Sequence, residues 1–173
     1  MATTIDGSNS VTINSGSVLG ITSGTAQAST SGTSINFTDI PSWVKRITVM
    51  FNGVSTSGSS PPQIQLGSGS IDATGYTSSG AANTGTNTIA IGASTTGAHI
   101  QSTSAANVIS GSMRFELFGS NTWVATHVGN LSSTAVLFGS AIKTLSGTLD
   151  RIRITTVNGT DTFDAGSINI LYE

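Results

Sequence analysis

The chain has no cysteine. Disulfides, thiolate nucleophiles and cysteine-held metals are excluded, and folding needs no oxidising compartment. Charge is nearly as scarce. Charged residues make up 8% of the chain, against about 25% in an ordinary soluble domain. The net charge is −2 and the basic residues form no stripe, so nucleic acid finds little electrostatic footing. Lys and Glu, common formers of exposed helix, are almost missing, and no amphipathic helix of ordinary length can be read. One short helical turn within 81–106 is the most the sequence offers. No apolar run approaches the ~20 residues of a membrane span. The opening MATTIDGSNS has neither a basic region nor an apolar core, so it does not read as a signal peptide.

Ser and Thr fill about a third of the chain, and Gly accounts for 21 residues. Disorder goes with low hydrophobicity and high net charge. Here the hydrophobic share is 36% and the net charge is near zero. That balance indicates an all-β particle wetted by hydroxyls. Strands are predicted over 34–37, 44–52, 63–66, 88–91, 99–102, 113–118, 122–128, 135–138, 148–157 and 167–172, joined by Gly, Ser and Asn turns. Loops are predicted over 56–61, 77–88 and 94–97. The longer strands alternate cleanly. Met113, Phe115 and Leu117 interleave with Arg114 and Glu116. Ile152 and Ile154 interleave with Arg151 and Arg153, and Ile168, Ile170 and Tyr172 form a third such set. A slip of one residue would put charge in the core, so register is well specified. The fold class is an antiparallel β-sandwich over residues 33–173, preceded by an extended N-terminal arm over 1–32.

The arm has no aromatic residue and one charge, Asp6. Its apolar spots are Ile5, Val11, Ile13, Val18 and Ile21, separated by Gly-Ser and Asn-Ser pairs. Such spots are too short to bury anything alone. They are expected to dock on sibling subunits or on another protein, the alternative being a mobile tail.

The stretch TSINFTDIPSWVKRITVMFNGVS, residues 33–55, combines a strand, a corner and a second strand. Pro41 breaks the first alternation. Trp43, Ile47, Val49 and Phe51 then share one face, with Val44, Arg46, Thr48 and Met50 on the other, and Asn52-Gly53 reads as a closing turn. This stretch, with PQIQLG at 62–67 and GTLDRIRITTVNGTDTFDAGSINILYE at 147–173, resembles a domain of phage and prophage virion proteins. That domain often stands at the C-terminal end of tail fibres. The resemblance runs from about 33 to 173. It implies a virion, a β-sandwich and, as topology, a jelly roll. It carries no catalytic motif.

Chemistry-bearing residues are few. His99 and His127 have no second histidine or cysteine nearby, so a structural or surface role is expected, with His127 on a polar face. Asp161 and Asp164 lie in one turn, where they are expected to bond backbone amides or hold a cation. No carboxylate pair stands out as a glycosidase would require, so no enzyme and no cofactor is expected. Arg151 and Arg153 share one strand face, for cross-strand pairs or a neighbouring subunit. Trp43 is expected in the core. Trp123, at a strand start after Gly119-Ser120-Asn121, is the candidate for receptor contact.

The expected function is that of a structural protein of a tailed-phage virion, assembled in the bacterial cytoplasm. It would be a short trimeric fibre or appendage, held by its arm and displaying a host-adhesion sandwich. The alternative is a capsid decoration or cement protein without a receptor. The partners are sibling subunits, other virion proteins and a host surface glycan, with no nucleic acid and no membrane insertion.

Overall fold

A computed structural model describes residues 12–13, 16–17, 20–85, 88–132 and 135–173. Among these residues the structure is all-β, with sixteen strands and no helix. The arm contributes β1 (Thr12–Ile13), β2 (Gly16–Ser17), β3 (Thr22–Ser23) and β4 (Gln27–Ala28). Next come β5 (Ser34–Phe37), β6 (Arg46–Thr56), β7 (Pro62–Ser68), β8 (Ser70–Ile71), β9 (Thr77–Asn83) and β10 (Ile89–Ser94). The remainder are β11 (Ala98–His99), β12 (Ile109–Gly119), β13 (Thr122–Leu131), β14 (Ala135–Thr144), β15 (Arg151–Thr156) and β16 (Phe163–Tyr172).

Two antiparallel sheets make a β-sandwich. The large one runs β10-β9-β14-β13-β12-β6-β16-β3, with β4 also on β16. The small one runs β11-β7-β15-β5, with β8 on β7. The predicted strands are present in both, with altered ends. Successive strands β6 and β7 lie against β16 and β15, one pair in each sheet. The meander β12-β13-β14 is closed by β9 in a Greek-key order.

Alternation explains the core. From the large sheet Ile47, Val49, Phe51, Met113, Phe115, Trp123, Leu137, Ile168 and Ile170 point inward. From the small sheet Ile35, Phe37, Ile64, Leu66, Ile152 and Ile154 meet them. Asn52-Gly53 does not end β6. Gly53 takes a positive φ of 66° in mid-strand, and the pairing with β16 shifts register beside it. This is a bulge, which needs a residue free to adopt that conformation. The extra residue flips the parity, so Val54 is buried although Phe51 is buried too. Opposite, Gly166 at φ 89° lets β16 pass so close that a side chain there would meet the Gly53 carbonyl at 2.3 Å.

Val44 also departs from its predicted face. Its amide bonds the Pro41 carbonyl at 3.1 Å, so it belongs to the corner turn and packs inward. Trp43 is half-buried against the core, with its ring centroid 5.8 Å from that of Tyr172. The segment 77–88, predicted as a loop, holds the strand β9. Its small residues show no apolar period, but they let the strand lie flat between β10 and β14. The described residues of 81–106 hold no helix, and the helical turn expected there is replaced by strands and a tight turn closed by Asn107 N–H to Ser104 O at 3.0 Å.

Residues 20–32 run along β16 rather than standing free. Ser29 is fully buried, its amide bonding Gly166 O at 2.9 Å and its hydroxyl Ala165 O at 2.8 Å. The sandwich thus begins ahead of residue 33.

Candidate functional site

The outer face of the small sheet is built from three adjacent strands. Their register sets Gln65, Arg153 and Asn36 in one row and Gln63, Thr155 and Ser34 in the next. Every one of these side chains is polar. The inward neighbours Ile64, Ile152, Ile154 and Ile35 anchor the same strands in the core, so the outward groups stand on a rigid base.

A groove of about 340 Å³ opens over these rows. Thr96, Ala73, Val157, Asn158 and Gly159 complete its lining. The β10–β11 loop covers part of the face, which leaves Gln63 and Gln65 only 2% and 3% exposed. Gln63 Oε1 accepts the hydroxyls of Ser94 at 2.9 Å and Thr96 at 3.0 Å. Gln65 Nε2 donates to Thr96 O at 2.8 Å. Gly97 is what allows this loop to lie so low, since a side chain there would meet the Gln63 amide at 2.8 Å. Arg153 Nε donates to Gln65 Oε1 at 2.8 Å, which pins the guanidinium in the groove.

The outer face of the large sheet is the opposite in chemistry. Across β13, β14, β9 and β10 the register aligns Val128, Phe138, Ala81 and Ile91 in one row. Val128 is 71% and Ile91 73% exposed, and Phe138, Val136, Ile142 and Ile89 are exposed as well. No charged residue points outward from these four strands.

The sequence-predicted residues scatter. Trp123 is only 3% exposed and packs in the core, so it is not a surface for receptor contact. It is in phase with Ala125 and His127 on the inner side of β13, and burial of that face decides its place. His127 is likewise buried, not on a polar face as predicted. It sits over Gly139, where a side chain would collide with its ring, and close to Gly80, where one would be tightly packed against it. Neither ring nitrogen of His127 finds a hydrogen-bond partner. Burial, with His99 nearby, pulls the His127 pKa down from 6.5 to about 4. His99 is lowered too, chiefly by burial, and its Nε2 lies 3.0 Å from Gln101 Oε1.

Arg151 and Arg153, expected together, have different surroundings. Arg151 bonds both oxygens of Asp150 at 2.8 and 3.1 Å, and its guanidinium holds that carboxyl below the usual range. Glu116 pairs instead with Arg46 and Arg114. Asp161 Oδ2 accepts the Ser60 amide of the β6–β7 loop at 2.9 Å and Asp164 accepts the Ser55 hydroxyl, whereas the amides of their own turn, those of Thr160 and Asp161, go to Asn158 Oδ1. Among the described residues, no three His, Cys, Asp or Glu side chains cluster as metal ligands would. Ile21 is exposed, and Ile13 lies in β1. Ile5, Val11 and Val18 lie outside the described residues.

Sequence reading missed the two glutamines and Thr96. Gln63 and Gln65 alternate with Ile64 and Leu66, so the pattern did place them outward. Nothing local showed that a loop would fold down on them. Lys143 was missed too. It is buried on the inner side of β14, 2.5 Å from Asp72 Oδ2 and 2.8 Å from Thr74 O. Its role is to fasten the segment before β9, where burial pushes the Tyr76 phenol pKa up.

No family model, curated protein or solved structure matches the chain.

Proposed function

We propose that the chain is a non-enzymatic structural protein of a tailed-phage virion. In this reading it is a short trimeric appendage, assembled in the bacterial cytoplasm and attached through its N-terminal arm. Its sandwich displays an adhesive surface to a host glycan. One observation carries the reading, namely that the two outer faces of the sandwich are chemically opposed. The uncharged apolar row of Val128, Phe138 and Ile91 suits burial against protein. A second copy would bring an equally uncharged face, so docking strips no ion of its water. The edge strand β10 adds to this, because it lacks the Lys, Pro or bulge that guards an edge left in water. The polar groove on the other side suits a wet, hydroxyl-rich ligand.

The resemblance to phage virion domains supports the same reading. Its three segments are neighbours in space, pairing as β6 with β16 and as β7 and β5 with β15. They form the frame of the sandwich rather than scattered surface.

The apolar face favours one second reading, a capsid decoration or cement protein whose flat face and arm both rest on capsid subunits. Gold-labelled antibody against the chain, applied to intact particles from its host, separates the two. Label at the tail is expected for the appendage and label over the head for the cement. Unlabelled particles, with no peptide of the chain in their digest, would sink the virion reading. Light scattering of the purified protein should give three times the 17.4 kDa chain mass.

A further inference from the structure

The cations of the chain are not equivalent. Arg46, Arg114, Lys143 and Arg151 each lie within 3.3 Å of a carboxylate oxygen. Lys45 stands exposed beside the corner. Arg153 alone is half-buried in a groove with no carboxylate at ion-pair distance among the described residues. Its Nε is tied to Gln65 at 2.8 Å, which fixes the plane of the guanidinium. The terminal nitrogens of a guanidinium held this way form a fork, and a fork of fixed geometry matches the paired oxygens of a carboxylate or phosphate.

We infer that this groove binds a sugar unit carrying an anionic group. The carboxylate or phosphate sits on Arg153, and ring hydroxyls bond Thr96, Thr155 and Asn158, while Gln63 holds Thr96 in place from beneath. Amides and hydroxyls both donate and accept, as a ligand dense in hydroxyls requires. Ala73 and Val157 are the apolar side chains of the lining, and no aromatic ring stands among them, so an apolar ligand would gain little here. A volume of about 340 Å³ is at the small end of ligand sites, suited to a short saccharide rather than a long chain lying in register. The groups that would hold it stand mainly on paired strands, so little ordering is needed on binding. The inference rests on the adhesive reading above and narrows it to one face and one class of glycan.

Titration of the full chain, followed by amide NMR, tests it with three probes: digalacturonate, glucose 1-phosphate and neutral maltose. Signals of β7 and β15 should move with an anionic probe and stay still with maltose. Response to digalacturonate alone assigns a carboxylate, and response to glucose 1-phosphate alone a phosphate. Arg153→Ala should weaken that binding at least tenfold, and Arg153→Lys should fail to restore it, because a point charge lacks the fork. The Tm of both variants should stay within about 3 °C of the parent, since the side chain is only half-buried. Equal response to maltose, silence with both anions, or unchanged binding by Arg153→Ala would each overturn the inference. So would a change of oligomeric mass in Arg153→Ala, which would assign the fork to a neighbouring subunit's carboxylate. The particle labelling is scored separately. A silent groove on a chain that labels the virion removes this inference alone. A binding groove on a chain missing from the virion removes the virion reading and keeps this one.

Discussion

The two outer faces of the sandwich rest on one core and solve opposite problems. On the small sheet, Gln63, Gln65, Arg153 and Thr155 face outward and are tied to each other or to nearby backbone. On the large sheet, Val128, Phe138 and Ile91 face outward and touch little. Both faces follow the same two-residue period, so the pattern alone does not tell them apart. The difference lies in what the polar positions became. The far half of the large sheet gave them to apolar side chains, which in the proposed reading rest against another surface. The small sheet gave them to amides, hydroxyls and one cation, which make sense against water or a ligand.

The largest effect should come from breaking what the faces share. Phe115, almost fully buried between the sheets, loses about 3–5 kcal/mol of packing as Phe115→Ala. Chemical denaturation should show the midpoint falling steeply, and both faces should lose their function together.

Acid should separate the faces. His127 lies under the apolar row, on the inner side of β13, and His99 is the titratable group that acts on it. In the unfolded chain its pKa is near 6.5, while in the fold it is about 4. The unfolded state therefore takes up a proton first as pH falls, and stability drops between about pH 6.5 and 4. The loss is on the order of 3 kcal/mol. Hydrogen exchange at pH 4.5 should quicken in β9, β13 and β14 more than in β7 and β15. His127→Gln should reduce the pH dependence and leave only the share of His99 and the carboxylates, and a dependence of undiminished size would remove His127 as the cause.

Charging the apolar face sharpens the contrast further. Val128 and Phe138 are directly opposed across β13 and β14. Val128→Asp with Phe138→Asp places two like charges on the row. Self-association measured by sedimentation should weaken by about a hundredfold, as for central interface residues, while the Tm of the monomer changes little. The smallest effect belongs to Asp150→Asn. It breaks a partly exposed pair with Arg151, so the urea midpoint should move least of all.

Much of the frame was legible. Strands β5, β6, β12, β15 and β16 showed in Ile35 and Phe37, in Ile47, Val49 and Phe51, in Met113 and Phe115, and in the two isoleucine pairs. Alternation of large apolar residues is a local signal, and register follows from it. The strand β9 was not legible, because Ser78, Ser79, Gly80, Ala81 and Ala82 carry no contrast between faces. Its place is set by neighbours that need thin partners, His127 and the Gly139 backbone among them. The Gly53 bulge was misread as a turn, since the dipeptide serves both and only the strand that pairs with it decides. The groove was half legible. Arg153 was singled out, but its link to Gln65 and the loop that lowers Thr96 onto both glutamines are tertiary facts.

The pairing of β6 with β16 also sets a timetable. Thr56 meets Phe163 across that ladder, and Pro62 meets Thr156 across the other sheet, so each early strand waits roughly a hundred residues for that mate, although β12 reaches the other edge of β6, and β8 and β11 reach β7, sooner. At the ribosome's pace of about 5–20 residues per second, that is of the order of 5–20 s during which β6 and β7 each have one edge without its final partner. Over that interval the core around Ile47, Val49, Phe51, Ile64 and Leu66 lacks Ile152, Ile154, Ile168 and Ile170. A nascent chain of this kind depends on the speed of its own synthesis and on whatever shields those strands until β15 and β16 arrive.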